Sequence, residues 1–280
     1  MARKITGYYN ETAQAAFTDA DQLVVEISSN QVVCLVKGAA SQEIEGFEVF
    51  ALDKTGSDWT DIFYELRTAS QLLNRTYRDA HCYYNFEEAI IIPGQRFTAA
   101  SAEDYLSLMY GESDRHDVKY DTIQADTQMV NAYRIRKSIN ELMSRHFLLY
   151  KPHHVYSRIL EDILSRTGLE DHFIKLQFYS NHIIAAVVIR NQLQLIQSFR
   201  FETTDDVLYH LANINRQFAL NVSHSHLEIS GMFENGSALH LHLQSMFGLI
   251  TLDGIEADGV FKTTNEFPAH YFTPFYKLVV

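Results

Sequence analysis

Three carboxylates, Glu26, Glu65 and Glu87, fall on a predicted strand, the helix that follows it and the end of a later strand. A two-metal nuclease draws its metal-binding carboxylates from such a spread of elements. Thirteen histidines raise a second chemistry. His224 and His226 lie two apart on a predicted strand and face one side, a spacing a metal could use. His240 and His242 lie two apart on a predicted helix, about 200° apart around it, and share no site unaided. His153-His154 beside Pro152 reads as a loop pair. No cysteine pair or His-Glu-x-x-His pattern accompanies these residues, so they read as structural or surface histidines and no metal is expected. There is no serine elbow, P-loop or dinucleotide fingerprint, and Gly231-x-x-x-x-Gly236 lacks the lysine that would give it meaning.

The elements that must position these groups show one pattern twice. Residues 23–30 read Leu-Val-Val-Glu-Ile-Ser-Ser-Asn, and residues 174–181 read Ile-Lys-Leu-Gln-Phe-Tyr-Ser-Asn. Leu23, Val25 and Ile27 match Ile174, Leu176 and Phe178 at an offset of 151 residues, so both copies carry the same apolar strand face. In each, Ser-Asn and a polar residue turn the chain into a second apolar strand. A polar N-terminal arm precedes strands near 23–28, 31–37 and 44–52. A helix capped by Asp58 or Thr60 runs to about Leu73, followed by a strand near 81–86, an apolar segment at 89–92 and a helix from Ser101 to about Tyr110. The charged stretch 111–121 reads as an exposed loop. A strand near 130–135 and helices near 137–146 and 154–166, with Pro152 between them, fill the middle. The second half then repeats three strands, a helix capped at Thr203-Thr204-Asp205, a strand near 225–230 and a helix near 237–247. The aromatic tail 267–280 reads as a buried helix face. Three strands, helix, strand, helix is the order of an RNase H-like α/β unit with a mixed sheet. Two such halves are expected, over 1–125 and 126–280, in an actin-like arrangement.

Composition narrows the function classes. A chain of 280 residues, 46% hydrophobic, buries a large core. The formal net charge of −12 opposes the phosphates of nucleic acid and anionic lipid alike. Arg134, Arg136 and Lys137 form a local basic cluster that reads as a solvated helix start. Cys34 and Cys82 are the only cysteines. They give no disulfide framework, and Cys34 reads as a buried hydrophobe. The longest aliphatic run, Ile183 to Ile189, falls short of a membrane span. The expectation is a soluble cytoplasmic protein.

Val130-Asn131-Ala132-Tyr133-Arg134-Ile135, Ile229-Ser230-Gly231 and Pro268-Ala269-His270-Tyr271-Phe272 resemble the Bacteroidetes family known as domain of unknown function 3822. The resemblance implies an actin-like ATPase fold of the PilM and FtsA kind and no established activity. Such ATPases hold nucleotide in three loops, each wanting a short motif. The first phosphate loop wants Asp-x-Gly, where Glu26-Ile27-Ser28 stands, followed by Ser29-Asn30. The second wants the same, where Gln177-Phe178-Tyr179 stands, followed by Ser180-Asn181. The adenosine loop wants Gly-Gly, where Gly231-Met232 stands. Glu26 keeps a carboxylate for a magnesium-bound water. Ser28 and Tyr179 replace the glycines that let phosphate approach the backbone, and Gln177 cannot neutralise a metal. All three loops are degraded, so ATP hydrolysis is not expected. The actin-like arrangement would set the two Ser-Asn hairpins facing each other across a small polar cleft filled by side chains. The reading is a non-catalytic interaction or scaffold protein with a protein partner, no bound cofactor, no nucleic acid and no membrane insertion. The alternatives are a weak ATP-binding switch using Glu26 and Gly231 and, below it, a nuclease confined to the first half, because the second offers Gln177 at the key strand position.

Overall fold

The computed structural model describes residues 2–10, 17–53, 58–123, 125, 128–255 and 267–279. They fall into two compact units. One holds the described residues up to Glu161 together with Leu278 and Val279. The other holds the described residues from Asp162 to Ile255 and from Phe267 to Lys277. The boundary expected at 125/126 thus lies inside the first unit.

The first unit is built on β1 (Ala2–Tyr9), β2 (Gln22–Ser28), β3 (Gln31–Lys37), β4 (Ile44–Leu52), β5 (Asp79–Asn85) and β9 (Tyr150–His154). They form one mixed sheet in the order β1-β4-β3-β2-β5-β9. β1 to β4 pair antiparallel, whereas β5 and β9 join in parallel. Helix α1 (Trp59–Ala69) makes the crossover from β4 to β5 and buries Ile62, Phe63 and Leu66. After β5 comes an insertion of β6 (Ala89–Pro93), α2 (Ser101–Tyr110), β7 (His116–Ile123) and β8 (Met129–Arg136). Its three strands make a separate antiparallel sheet in the order β6-β8-β7. Helix α3 (Lys137–His146) returns the chain to β9, and α4 (Val155–Leu164) follows.

The second unit contains β10 (His172–Phe178), β11 (His182–Ile189), β12 (Gln192–Arg200), α5 (Thr204–Phe218), β13 (His226–Gly231), α6 (Ala238–Met246), β14 (Leu249–Leu252) and α7 (Thr273–Tyr276). Its sheet runs β12-β11-β10-β13-β14. This is the order β4-β3-β2-β5-β9 of the first unit, strand for strand, so the duplicated RNase H-like reading holds. Ser29-Asn30 joins β2 to β3 and Ser180-Asn181 joins β10 to β11, the same place in both sheets. Thr203 caps α5 as expected, in a capping box closed by Asp206. Ile174, Leu176 and Phe178 pack with Val207, Leu211 and Ile214 of α5 and with Leu243 of α6. Among the described residues, no helix is long and apolar enough to cross a membrane.

Several local expectations need correction. The N-terminal arm is strand β1, paired along β4. Its polarity hides it, because Lys4 and Tyr9 both bond the fully buried Glu48. Most of the expected loop 111–121 is β7, an outer strand of the small sheet, which tolerates a charged sequence. Pro152 lies between the two helices as expected, but within a strand, β9, that the sequence reading did not include. β9 is a sheet edge, where a missing N–H costs least. Arg134 is buried in β8, bonded to Glu88 at 3.2 Å and Ser107 at 3.1 Å, so it is not part of the solvated helix start, which Arg136 and Lys137 form, exposed, at the head of α3. Phe272, Phe275 and Tyr276 of the aromatic tail are buried.

The opposite face of β10 carries Lys175, only 1% exposed. Its ammonium lies 2.5 Å from both Glu228 and Asp253. Arg166 reaches Asp162 at 2.6 Å and Glu228 at 2.7 Å, and Lys277 reaches Asp253 at 2.7 Å and Asp162 at 3.0 Å. Three cations therefore meet three carboxylates in a place where an unpaired charge would be costly. Burial pushes the Asp162 carboxyl upward, but Lys175, Lys277 and Arg166 outweigh it and hold the pKa at about 2. Its stabilising share is therefore present above the unfolded value of 3.8 and is lost as pH falls through about 2. Removing the central cation leaves three carboxylates to two cations in a buried place, so Lys175→Met should destabilise by about 3–5 kcal/mol in urea unfolding at pH 7.

Candidate functional site

β2 is buried on both faces, and Glu26 in its centre is 2% exposed. Asn85 at the end of β5 donates from Nδ2 to Glu26 Oε1 at 2.9 Å. Glu26 Oε2 has no hydrogen-bond partner among the described residues. Burial pushes the carboxyl pKa up to about 8, and the Asn85 bond offsets only part of that. At neutral pH Glu26 is mostly protonated, and a neutral acid does not balance a cation.

Ser28 closes the hairpin that follows. Its hydroxyl accepts from the backbone N–H of Gln31 at 3.1 Å and of Asn30 at 3.5 Å. Its own proton faces Gln31 O and Asn30 Oδ1, each at 3.1 Å. A phosphate loop needs such N–H groups turned toward the ligand. Here a side chain of the loop already takes two of them. Ser29 is exposed at the tip.

The second hairpin is closed differently. Tyr179 donates its backbone N–H to His182 O at 2.9 Å, and its ring stacks on His182 with centres 4.6 Å apart and planes 3° apart. Phe275 meets the same ring edge-on. Tyr179 is 3% exposed, and its hydroxyl faces Gln177 Oε1 at 3.5 Å. His182 is held neutral, with a pKa near 4, by burial and then by Arg200. Ser180 is exposed, and Asn181 Oδ1 lies 2.9 Å from His182 Nδ1. Glu26, Ser28 and Asn30 thus gather in one hairpin, and Gln177, Tyr179 and Asn181 in its counterpart.

Gly231 has a structural reason to be glycine. Its φ is +95°, and a Cβ there would lie 2.1 Å from Phe178 O. β13 must pass this close because Met232 N–H donates to Phe178 O at 2.9 Å. Gly231 N–H donates to His270 O at 2.8 Å, and His270 Nε2 donates to Phe233 O at 2.9 Å. Two of the three short motifs that carried the family resemblance therefore bind one another. The third, on β8, places Asn131 against the Ser157 hydroxyl at 3.0 Å.

Other sequence candidates do not assemble. Glu65 accepts from the Ala2 N–H at 2.6 Å, Glu87 is exposed, and they do not join Glu26. His224 ends a 3-10 turn, so it does not share a strand face with His226, whose Nε2 lies 2.6 Å from Thr251 Oγ1. His240 is buried and accepts from Gly236 N–H, whereas His242 is exposed. His154 is a buried strand residue held neutral near pKa 4 by burial, not part of a loop. Sequence reasoning missed His81, Asp79 and Asp121, which cluster with His153. The alternation Asp79-x-His81-x-Tyr83 on one strand face was the available signal; Pro152 hid the neighbouring strand.

The geometry sets two tests. Gly231→Ala should cost about 3 kcal/mol in chemical unfolding, from the left-handed backbone and the Phe178 contact together. Glu26 has a folded pKa of about 8 against 4.5 for the free group. Its contribution is fully present below 4.5 and is lost as pH rises through about 8. Glu26→Gln, neutral at every pH, should therefore leave stability near wild type at pH 5. It should exceed wild type by a few kcal/mol at pH 9, in urea unfolding at the two pH values.

The family model described as "Protein of unknown function (DUF3822)" matches residues 10–247. A solved protein of Bacteroides thetaiotaomicron VPI-5482, with actin-like ATPase fold and unknown function, aligns over 93% of this chain and 96% of its own. The TM-score is 0.77 at 17% identity. A chain of the PilM-PilN type IV pilus biogenesis complex aligns over 94% and 98%, with TM-score 0.56 and 9% identity. No curated protein matches the sequence. At these identities the structural likeness speaks for the fold. The chain belongs to the DUF3822 family and has the actin-like ATPase fold.

Proposed function

We propose that this chain is a non-catalytic interaction or scaffold protein of the cytoplasm, which keeps the actin-like ATPase fold and has given up nucleotide chemistry. The observation that carries the reading is the Ser28 hydroxyl, which takes the N–H groups of Asn30 and Gln31 within its own hairpin. Phosphoryl transfer depends on placed donors and a metal-bound carboxylate, and the supply of both is reduced. Glu26 is protonated at neutral pH, Gln177 carries no charge, and the Tyr179 ring is packed on His182 and Phe275. Gly231, the remnant of the adenosine loop, is explained by its approach to Phe178. A protein partner is the occupant this reading favours. One similar fold comes from a complex, PilM-PilN, and a chain with a formal net charge of −12 is ill suited to nucleic acid.

Two measurements test the reading. ATP with magnesium should leave the melting temperature unchanged, whereas a ligand at 100 times its dissociation constant adds about 2.7 kcal/mol. Phosphate release should stay at background. A saturable rise in melting temperature would replace this reading with a nucleotide-dependent switch. Tagged protein recovered from its own cell, read by mass spectrometry, should carry a stoichiometric protein partner.

A further inference from the structure

Burial changes abruptly between β11 and β12. β11 is buried along its length up to Val188. In β12, the last strand on that side of the sheet, Leu193, Leu195, Ile196 and Phe199 are only half-buried. A sheet edge carries backbone N–H and C=O groups without ladder partners, and proteins guard such edges with charge, proline, bulges or short length. The other sheet edges among the described residues are guarded in these ways. β1 carries Arg3 and a bulge after Lys4, and β9 carries Lys151 and Pro152. β14 has only four residues, β6 ends on Pro93, and β7 carries Asp117, Lys119 and Asp121. β12 runs for nine residues with no proline and no charge before Arg200.

The pairing of β12 with β11 fixes which backbone groups face outward. Phe201 N–H donates to Asn181 O at 3.1 Å, and antiparallel strands exchange bonds at every second pair. Leu195, Gln197 and Phe199 therefore turn their backbone groups to Val187, Ala185 and Ile183 of β11. Those of Ile196 and Ser198 are left on the outer side. The bulge of β12, at Gln194, falls before this stretch. His210 of α5 closes its far end, with Nε2 3.0 Å from Arg200 O. The His210 ring also packs on Phe199, with centres 4.8 Å apart, and beside it Tyr209 is 64% exposed.

We propose that β12 pairs antiparallel with β12 of a second copy of this chain, about a two-fold axis at Gln197. Ile196 of each copy then exchanges backbone hydrogen bonds with Ser198 of the other. Leu195 comes opposite Phe199 on the α5 side, an apolar cross-strand pair of the kind that stabilises sheets. Charge and pattern both favour a second copy over a foreign strand. Chains with a formal net charge of −12 repel one another, and they meet at least cost along a strip that presents no charge. The two Arg200 side chains fall at opposite ends of the paired stretch. Nothing on the strip selects a charged segment, and its own sequence in reverse meets Leu195 with Phe199. The charges and prolines of the other edges disfavour β12 as a neighbour, so the edge that receives it is β12 itself. Such a contact is isologous and closes at two copies.

The edge lies wholly within the second unit and stands apart from the scaffold reading. Sedimentation equilibrium of the full chain over a dilution series should show a reversible dimer. Gln197 is exposed, and Gln197→Lys sets two ammonium groups face to face on the axis. Ser198→Pro removes an outward N–H that β11 does not use, a place where an edge strand tolerates proline. Both variants should be monomeric with an unchanged circular-dichroism spectrum. Cys34 and Cys82 are buried, so under mild oxidation Gln197→Cys should cross-link two chains. Gln192→Cys, which this register holds far from its equivalent in the other copy, should not. A dimer that survives Gln197→Lys, or equal cross-linking of both cysteine variants, would overturn the proposal. So would a chain that stays monomeric at its highest soluble concentration, whether or not this edge holds an extended segment of another protein.

Discussion

Each unit depends on a central strand buried on both faces, β2 in one and β10 in the other. Such a strand tolerates a polar side chain only if it is neutral, hydrogen-bonded or paired with opposite charge. The two units meet that demand in different ways. β2 keeps a single acid, Glu26, in its protonated form with one amide partner. β10 keeps a charge, Lys175, and surrounds it with carboxylates from β13, from the residue after β14 and from α4, with Arg166 and Lys277 closing the set. Sequence positions that look like one ancestral strand therefore carry different electrostatics.

The same constraint shapes the strand ends. In an open α/β sheet the carboxyl ends of the strands are where ligands bind, because loops there are free of the ladder. Here those ends are tied internally. Ser28 folds onto its own turn, and Tyr179 is clamped between His182 and Phe275. His270 of the C-terminal segment takes the Gly231 N–H. Gly231 is likewise tied to the sheet, since it is needed to let β13 pass Phe178.

The sequence carried much of the fold. The repeated apolar alternation of 23–27 and 174–178 located both central strands, and Ser-Asn located both hairpins, because strand period and turn chemistry are local properties. Thr203 announced its helix for the same reason. Candidate positions could be named only where a motif offered a place to look: Glu26, Ser28, Gln177, Tyr179 and Gly231. Polar edge strands were illegible. β1, β7 and β9 lack an apolar face of their own and are made strands by their partners, through Glu48 for β1 and through parallel pairing with β5 for β9.

By itself, then, the sequence determined the duplication and the absence of glycine at Ser28 and Tyr179, both of which are written in neighbouring residues. Tertiary structure alone decided the protonation of Glu26, which follows from burial on both faces, and the ion cluster of Lys175, whose members span residues 162 to 277. It also decided the meeting of His81 with His153, 72 residues apart along the chain. Charge state and side-chain convergence depend on what packs across the sheet, and no local stretch of sequence holds that information.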